Sequence, residues 1–346
     1  MEYMHTEIKA FCNKILMHVG VSEANAKLVT DNLVTADLRG VSSHGVARLP
    51  VYIKRIQLGL INPNPNPKVI KSTSTTVLID GDNGLGQINV TDGVNRAISI
   101  AQENGQSMVG IKNTNHIGIC ADYVLKVAKE GMIGFCVGNA SAHMAPWGGI
   151  RPILGTNPIS VGVPAGRFPA IVLDMATSTV ARGKILLAAK KGDKIPLGWA
   201  LDKDGNPTED AEKARFGTVL PFGGPKGYGL SLLVDILAGV LTGANFGSKV
   251  PSMTEDFETP LNLGAFISVF RIDNFMSLKQ FEERIEELIN EIKGSPAAPN
   301  VDEIYLPGEI EHNRMQEGLK KGIGLDEKVI NDLNLLAESL NIAERI

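Results

Sequence analysis

The hexapeptide at positions 62–67, NPNPNP, divides this chain into two parts with different patterns. Proline lacks the backbone N–H that helices and sheet ladders use, so the alternating prolines predict a stiff, extended linker. Before the linker, apolar residues recur with helical spacing, and Ser22 and Gly40 are suited to begin and end a helix. After it, short β-like runs alternate with helical stretches. The linker is therefore the first predicted domain boundary.

The pattern of residues after the linker predicts a sheet with helices packed against it. Its β-like runs are VIKSTSTTVLID, SMVGIKN, MIGFCVGN, ISVGVP, AIVLDMA and, later, LGAFISVFRID. The stretch SLKQFEERIEELINEIKG predicts a helix with Ser277 and Gln280 as its capping box and Gly294 as its stop. Another amphipathic helix is predicted at 326–345. This order of elements is typical of an α/β or α+β core.

Composition and charge exclude several classes of protein. The chain has 34 Lys and Arg against 38 Asp and Glu, and this balance argues against nucleic acid as a partner. It has no run of about 18 apolar residues, so we expect no membrane span. Its three cysteines follow neither a zinc-binding nor a disulfide-rich spacing, which favours a reducing compartment. Because the N-terminal residues also lack the pattern of a signal peptide, we expect a cytoplasmic protein.

Neither glycine-rich loop of the chain carries a nucleotide-binding fingerprint. The loop GDNGLGQ (81–87) lacks the G-x-G-x-x-G spacing and is best interpreted as a turn between a strand and a helix. The loop PFGGPKGYG (221–229) lacks the Ser or Thr that follows the lysine of a Walker A motif. Its Lys226 nevertheless lies where a helix begins, a position that favours anions. An anion site and a plain cap with a solvated lysine are equally compatible with this loop.

Two ionisable residues follow predicted strands. His116, in NTNHIG, comes just after the run MVGIKN, and a histidine at such a position is suited to proton transfer near neutral pH. A structural histidine that caps the next turn has the same signature. Asp174 ends the apolar run IVLD, where it could cap the next helix, orient an imidazole or hold a ribose hydroxyl. The residues alone leave these alternatives open.

The stretch SSHGVARLPVY (42–52) places His44, Arg48 and Tyr52 four residues apart. On a single helix this spacing predicts one polar stripe, with Pro50 on the opposite side and a bend that leaves the stripe concave. A merely solvated face is the alternative, although Lys and Glu are more usual there. Arg48 is suited to bidentate recognition of a carboxylate.

Seven motifs then occur in one order: SHG-x-x-R-x-x-x-Y, GLGQ, N-x-N-H-x-G, GTNP, DMATS-x-x-ARGK, GGPKGYGL and LPGE. The ordered set resembles the type-2 malate/L-lactate dehydrogenase family over nearly the whole chain. The resemblance implies a mixed α/β fold, with a non-Rossmann dinucleotide-binding domain and a largely helical domain formed by the N- and C-terminal segments. We expect residues 1–70 with 296–346 to form the helical domain. Residues 71–295 would form the NAD(P)-binding domain, with room for a smaller inserted subdomain.

The resemblance also implies roles for individual residues. His116 takes the role of catalytic acid/base, and His44, Arg48 and Tyr52 line the substrate site. The residues implied to contact the cofactor, NAD or NADP, are Ser141, Asp174, Met175, Ala176, Lys226, Pro307, Gly308 and Glu309. Where the family often has Ser or Thr this chain has Ala140, so that contact would come from the backbone or from Ser141. The family implies a homodimer and no metal.

The implied reaction is hydride transfer between a nicotinamide and a small 2-hydroxy or 2-oxo acid, with His116 passing the proton. Malate and oxaloacetate are the favoured pair, and L-sulfolactate or ureidoglycolate is the alternative substrate. A metal hydrolase built on His116, His143 and Asp174 is a remote alternative, because no H-E-x-x-H spacing supports it. A non-catalytic anion-binding protein is another, which would keep Arg48 and Lys226 but need no proton donor.

Overall fold

The structure is a computed structural model that describes residues 2–346, and it begins with a helical region. The elements before the linker are β1 (Glu2–Tyr3), α1 (His5–His18), α2 (Glu23–Leu38) and α3 (Leu49–Gln57). The side chain of Ser22 accepts a hydrogen bond from the N–H of Asn25 and caps α2, and Gly40 follows its end with φ of +75°. Both predicted ends of α2 are thus confirmed.

After the linker the predicted runs form the strands of one large sheet, and VIKSTSTTVLID becomes two strands. The remaining elements are β2 (Lys68–Ser72), β3 (Thr76–Gly84), α4 (Gly86–Asn104), β4 (Gln106–Thr114), α5 (Ala121–Lys129), β5 (Met132–Gly138), β6 (Ile159–Val163), β7 (Ile171–Met175), α6 (Arg182–Lys191), β8 (Ala200–Leu201), α7 (Ala211–Ala214), β9 (Thr218–Val219), α8 (Pro225–Val234), β10 (Leu263–Arg271), α9 (Leu278–Lys293), α10 (Glu309–Lys321), β11 (Ile323–Gly324) and α11 (Glu327–Ser339). The π-helical stretch Asp235–Val240 continues α8.

The seven strands of the large sheet lie in the order β2-β3-β4-β10-β5-β6-β7. Only β3 and β4 pair in parallel, and every other neighbouring pair is antiparallel. As a result β3, β4, β5 and β7 run in the same direction, and their carboxyl ends meet at one edge of the sheet. We call this the carboxyl edge. The mixed α/β fold is confirmed, and its sheet order is not that of a Rossmann fold.

The helical region and the C-terminal end of the chain share one hydrophobic core. Ile15, Leu33 and Ile53 of the first three helices pack in the same cluster as Leu333 and Ala337 of α11. Strand β1 pairs with β11, which joins the two ends of the chain. This packing agrees with a helical domain made from both termini, whose limits at 1–70 and 296–346 stay a prediction.

A small lobe is inserted between β7 and α8. It contains α6, β8, α7 and β9, and β8 and β9 form a separate two-stranded sheet. Its apolar cluster includes Val180, Ile185, Ile195 and Val219. The lobe lies within the predicted NAD(P)-binding domain, where the sequence leaves room for a smaller subdomain.

The prediction of one bent helix over 42–52 is wrong. Two short 3₁₀ turns, Ser42–His44 and Val46–Arg48, precede α3, and Pro50 lies in the first turn of that helix. Proline is well tolerated there because the first N–H groups of a helix have no intrahelical acceptor. Gly45 between the two turns is extended, with φ of −82° and ψ of −156°. The three polar side chains therefore do not form a stripe on a single α-helix.

The clearest helix of the sequence is confirmed in detail. Ser277 accepts from the N–H of Gln280, whose side chain accepts in return from the N–H of Ser277, and α9 ends before Gly294. Within residues 2–346 no helix combines the length and the apolar character that crossing a membrane would require.

Candidate active site

The predicted site residues gather along the carboxyl edge. His116 follows β4 by two residues, Ser141 follows β5 by three, and Asp174 and Met175 end β7. Open α/β sheets bind ligands in the crevice outside the carboxyl ends of their strands. The prediction that His116 lies just past a strand end is confirmed, and the sheet topology brings residues from distant motifs to one side of the molecule.

His116 is held by groups from two helices and from its own loop. The hydroxyl oxygen of Tyr52 lies 2.6 Å from Nδ1 of His116, and the backbone N–H of Gly118 donates to the same nitrogen at 3.3 Å. The amide nitrogen of Gln87, in the first turn of α4, donates to the Tyr52 hydroxyl at 3.2 Å. Nδ1 thus points toward other protein groups, and the hydrogen bonds to it fix the orientation of the His116 ring.

His44 and Arg48 complete this cluster from the two 3₁₀ turns. The His44 ring stacks on that of His116, with centroids 5.3 Å apart and planes inclined by 27°. Nε of Arg48 donates to the carbonyl oxygen of Ser43 at 2.6 Å. No group in residues 2–346 accepts a hydrogen bond from the two terminal nitrogens of Arg48, so they are available to a carboxylate.

Arg48 is the positive charge of the cluster near neutral pH. Burial lowers the pKa of His116 well below its usual value, and His44 and Arg48 lower it further. Burial, together with the Arg48 charge, lowers the pKa of His44 to about 4. Both imidazoles are therefore neutral at pH 7, and only Arg48 can attract an anion by its net charge.

Asp37, which sequence reasoning missed, holds the turns that carry His44 and Arg48. Its carboxylate accepts from the backbone N–H of Val46 at 2.8 Å, and a Cβ at Gly45 would lie 2.0 Å from its Oδ1. Burial raises the pKa of Asp37 to about 7. The signal available in the sequence was a charged residue on the buried face of α2, although such a residue has no visible partner until the fold is known.

Asp174 caps the helix that follows the His116 loop. Its Oδ2 accepts from the backbone N–H of Ala121, the first residue of α5, at 2.8 Å. Burial raises the pKa of Asp174 to about 6, whereas the Ala121 bond and the charge of Arg39 lower it. The alternative that Asp174 caps the next helix is wrong, because the helix it caps, α5, precedes it in the chain, and α6 begins without a side-chain cap. Met175 and Ala176 follow directly and are half-buried.

The segment Pro307–Gly308–Glu309 lies beside β7. The carbonyl oxygen of Pro307 accepts from the N–H of Val172 at 3.0 Å, and Gly308, with φ of +83°, packs so closely that a Cβ would lie 2.8 Å from Val172. The carboxylate of Glu309 is already engaged, by Lys293 at 2.7 Å and by the N–H of Leu306 at 2.9 Å. The structure therefore brings this segment next to β7, the strand that ends in Asp174 and Met175, but with the Glu309 side chain turned to other protein groups.

Lys226 lies in the first turn of α8, as the sequence predicts. Gly223 and Gly224 precede it with φ of +57° and +65°, and the Trp147 ring covers Gly224. The Lys226 side chain is exposed and forms no ion pair within residues 2–346. A free ammonium beside the positive end of a helix, reached through a glycine backbone, fits the phosphates of a dinucleotide.

Ser141 is tied to the loop that precedes β10. Its hydroxyl donates to the carbonyl oxygen of Pro251 at 2.6 Å, and the N–H of Ala140 donates to Oδ1 of Asn157 at 3.0 Å. Arg55, a fully buried residue that the sequence analysis does not single out, holds the same loop from α3. Its guanidinium donates to the carbonyl oxygens of Asp256 at 2.6 Å and of Thr259 at 2.8 Å.

The structure does not assemble the alternative metal site. His143 lies beside Arg182, with a guanidinium nitrogen 3.2 Å from its Nδ1, whereas Asp174 faces α5 and His116 faces Tyr52. Among the described residues, no three His, Cys, Asp or Glu side chains are grouped so that they could hold a metal ion.

Comparisons with known proteins agree with the arrangement of the motifs. The sequence model of the family described as malate/L-lactate dehydrogenase matches residues 3–334. A malate/(S)-sulfolactate dehydrogenase from Methanothermus fervidus is 40% identical over 97% of this chain and 97% of its own. A malate dehydrogenase from Pyrococcus horikoshii is 42% identical over 96% of this chain and 94% of its own.

Solved structures of similar proteins match the fold of this chain over nearly its whole length. A sulfolactate dehydrogenase from Methanocaldococcus jannaschii matches with a TM-score of 0.93 at 40% identity, covering 99% of this chain and 98% of its own. More distant relatives are named as an NAD(+)-dependent ureidoglycolate dehydrogenase and an NADP(+)-dependent sulfolactate dehydrogenase.

Proposed function

The chain belongs to the malate/L-lactate dehydrogenase family, and from that premise we propose that it interconverts malate and oxaloacetate. It is an NAD(P)-dependent oxidoreductase that acts on the CH–OH group of a 2-hydroxy acid. The observation that carries the proposal is the cluster at the carboxyl edge, where the free terminal nitrogens of Arg48 and the neutral imidazole of His116 lie together.

His116 is the proton-transferring residue of this proposal. Its Nδ1 faces Tyr52, so Nε2 is the atom left to exchange a proton with the substrate oxygen. Arg48 holds the carboxylate next to the reacting carbon through a fork of two hydrogen bonds, and His44 lines the same site. Tyr52 bears on the reaction through His116, since its hydroxyl is engaged there.

The cofactor is NAD or NADP, and we assign its contacts to the segments around β7 and α8. When bound, the nicotinamide supplies or removes the hydride at the substrate carbon. Lys226 would offset phosphate charge, and Ser141, Asp174, Met175, Ala176 and the Pro307–Gly308–Glu309 segment would line the remainder. Because Glu309 is paired with Lys293, its contribution would come from the backbone rather than from a free carboxylate.

Sulfolactate is the second candidate substrate, because a relative at 40% identity is named for both acids. A sulfonate can take the place of the second carboxylate of malate without change at Arg48. Ureidoglycolate comes third, since the relatives named for it are 33% identical.

Absorbance of the reduced nicotinamide tests the proposal. The purified protein is mixed with oxaloacetate, sulfopyruvate or pyruvate, each with NADH and with NADPH, and in reverse with malate, sulfolactate or ureidoglycolate. We expect the largest kcat/KM for oxaloacetate with one of the two cofactors. A larger kcat/KM for sulfopyruvate would replace malate by sulfolactate as the substrate. If none of the acids lowers the absorbance of NADH or NADPH, the assignment of the site to a dehydrogenase is refuted.

We also propose a cytoplasmic homodimer. Three buried, unpaired cysteines are consistent with a reducing compartment. An apolar stripe of Leu233, Ile236, Val240 and Leu241, 43–61% exposed, runs along α8 and its π-helical continuation and would be buried in a dimer. Analytical ultracentrifugation should give a dimer that dissociates on Ile236→Glu. A dimer of unchanged affinity would place the interface elsewhere.

A further inference from the structure

A buried hydrogen-bonded chain of three side chains leads away from the proposed substrate position. Gln87 and Tyr52 are 0% and 1% exposed, and they connect to His116 in the order Gln87, Tyr52, His116. The Tyr52 hydroxyl, expected from the resemblance to line the substrate site, is engaged instead by His116 and Gln87. The hydrogen bonds of both side chains lead to Nδ1 of the His116 ring.

The donors in this hydrogen-bonded chain fix which nitrogen of the His116 ring carries the proton. The backbone N–H of Gly118 can only donate, and it points at Nδ1. Tyr52 accepts from the amide nitrogen of Gln87, so its own hydrogen is free to donate to Nδ1 as well. An atom that accepts two hydrogen bonds carries no proton, and the neutral ring therefore holds its proton on Nε2.

This tautomer is not the one that removes a proton from a hydroxy acid. A base acting through Nε2 needs a lone pair there, which places the ring proton on Nδ1. Nδ1–H must then donate to the Tyr52 oxygen, and the Tyr52 hydrogen must find another acceptor. Oε1 of Gln87 is such an acceptor, because it is buried and has no hydrogen-bond partner among the described residues.

The two directions of the hydrogen-bonded chain contain nearly the same number of hydrogen bonds. A half-turn of the Gln87 amide exchanges Nε2 and Oε1, and each orientation leaves one of these two atoms without a partner. The direction in which Nδ1 accepts has one additional bond, the 3.3 Å contact from Gly118. The two directions therefore differ by one long contact between neutral groups, whose N–H loses its acceptor in the reversed chain. Tyr52 stays neutral in both directions.

We propose that Gln87 and Tyr52 are positioning residues whose hydrogen bonds reverse with the tautomer of His116. The proposal rests on the role of His116 proposed above. In oxidation the substrate hydroxyl gives its proton to Nε2, while Nδ1 keeps its own proton and donates to Tyr52, which donates to Gln87. The imidazolium so formed returns the Nε2 proton to the substrate oxygen in reduction. Between turnovers the ring exchanges tautomers by losing one proton to solvent and gaining another.

Few polar groups face the His116 ring and could influence its tautomer. His44 and Arg48 face the ring from the 3₁₀ turns, Tyr52 faces it from α3 and Gln87 lies behind Tyr52 on α4. No carboxylate within residues 2–346 hydrogen-bonds to His116. An aspartate often orients a catalytic histidine, and here a phenol and an amide occupy that place.

Nitrogen-15 NMR of histidine-labelled protein tests the tautomer without any assay of activity. The His116 signals are assigned by their loss in His116→Gln. We expect Nε2 protonated and Nδ1 unprotonated near pH 7. Ser107→Ala, which removes a buried hydroxyl bonded to the Ala97 carbonyl outside the His116 loop, is the matched control and should leave the tautomer unchanged. A wild-type ring protonated on Nδ1 would overturn the proposal even if the enzyme turns over malate.

A double-mutant cycle tests the reversal. Tyr52→Phe and Gln87→Met should each lower kcat about tenfold with little change in KM for the acid. The double variant should be no slower than Tyr52→Phe, because Gln87 acts only through that hydroxyl. Gln102→Met, on the exposed face of the same helix, is the control. An unchanged kcat in Gln87→Met, or two effects that multiply, would overturn the proposal.

Discussion

The part of the carboxyl edge proposed to bind substrate (the substrate side) and the part proposed to bind NAD(P) (the cofactor side) are built differently. On the substrate side, Tyr52, Gly118 and Asp37 hold His116 and the two 3₁₀ turns in place through protein hydrogen bonds. On the cofactor side, Glu309 and Ser141 direct their polar atoms to other protein groups, and Lys226 extends into solvent. We therefore expect the reacting groups to be arranged in advance, and the dinucleotide to be held largely through backbone and the exposed charge of Lys226.

The largest effect should come from removing the imidazole. His116→Ala should lower kcat by roughly 10²–10⁴-fold, the usual contribution of general acid–base catalysis. KM for the cofactor should change little, because the cofactor side is a separate set of contacts. Steady-state kinetics in both directions measures this, with His18→Ala at the exposed end of α1 as control. A kcat close to wild type would remove His116 from the proton transfer.

An intermediate effect should follow the loss of the guanidinium fork. Arg48→Lys keeps the charge but loses one of two parallel hydrogen bonds, so KM for the acid should rise by roughly 10- to 100-fold. The cofactor KM should stay within a factor of about two, if the two sides are independent. Arg96→Lys, in a surface pair with Asp92, is the matched control. An unchanged KM for every acid tested would argue against Arg48 as the carboxylate ligand.

The smallest effect should come from the cofactor side. Lys226→Ala removes an exposed charge, and we expect the cofactor KM to rise only about fivefold, equivalent to about 1 kcal/mol. The dependence of that KM on salt should also weaken, because exposed charges are screened. Lys71→Ala, on the edge strand β2 at the other end of the sheet, serves as control. A loss of kcat as large as that of His116→Ala would contradict the division into two sides.

Much of the fold could be predicted from local pattern. The caps at Ser22 and Ser277, the linker, the strand runs and the position of His116 each depend on residues adjacent in the chain. The stretch 42–52 shows where such reasoning failed. Its four-residue spacing resembles a helix stripe, but Pro50 in a first turn and an extended Gly45 produce two turns and then a new helix.

The sequence by itself determined which segments are helical or extended, which of their faces are apolar, and that the ordered motifs match one dehydrogenase family. Only the tertiary structure decided that Gln87 lies behind Tyr52, that Asp37 bonds Val46, and that Pro307 pairs with β7. The physical reason is that propensity and periodicity act over a few residues. A hydrogen-bond partner 35 or 64 positions away, as for Tyr52 with Gln87 and with His116, depends on how whole elements pack.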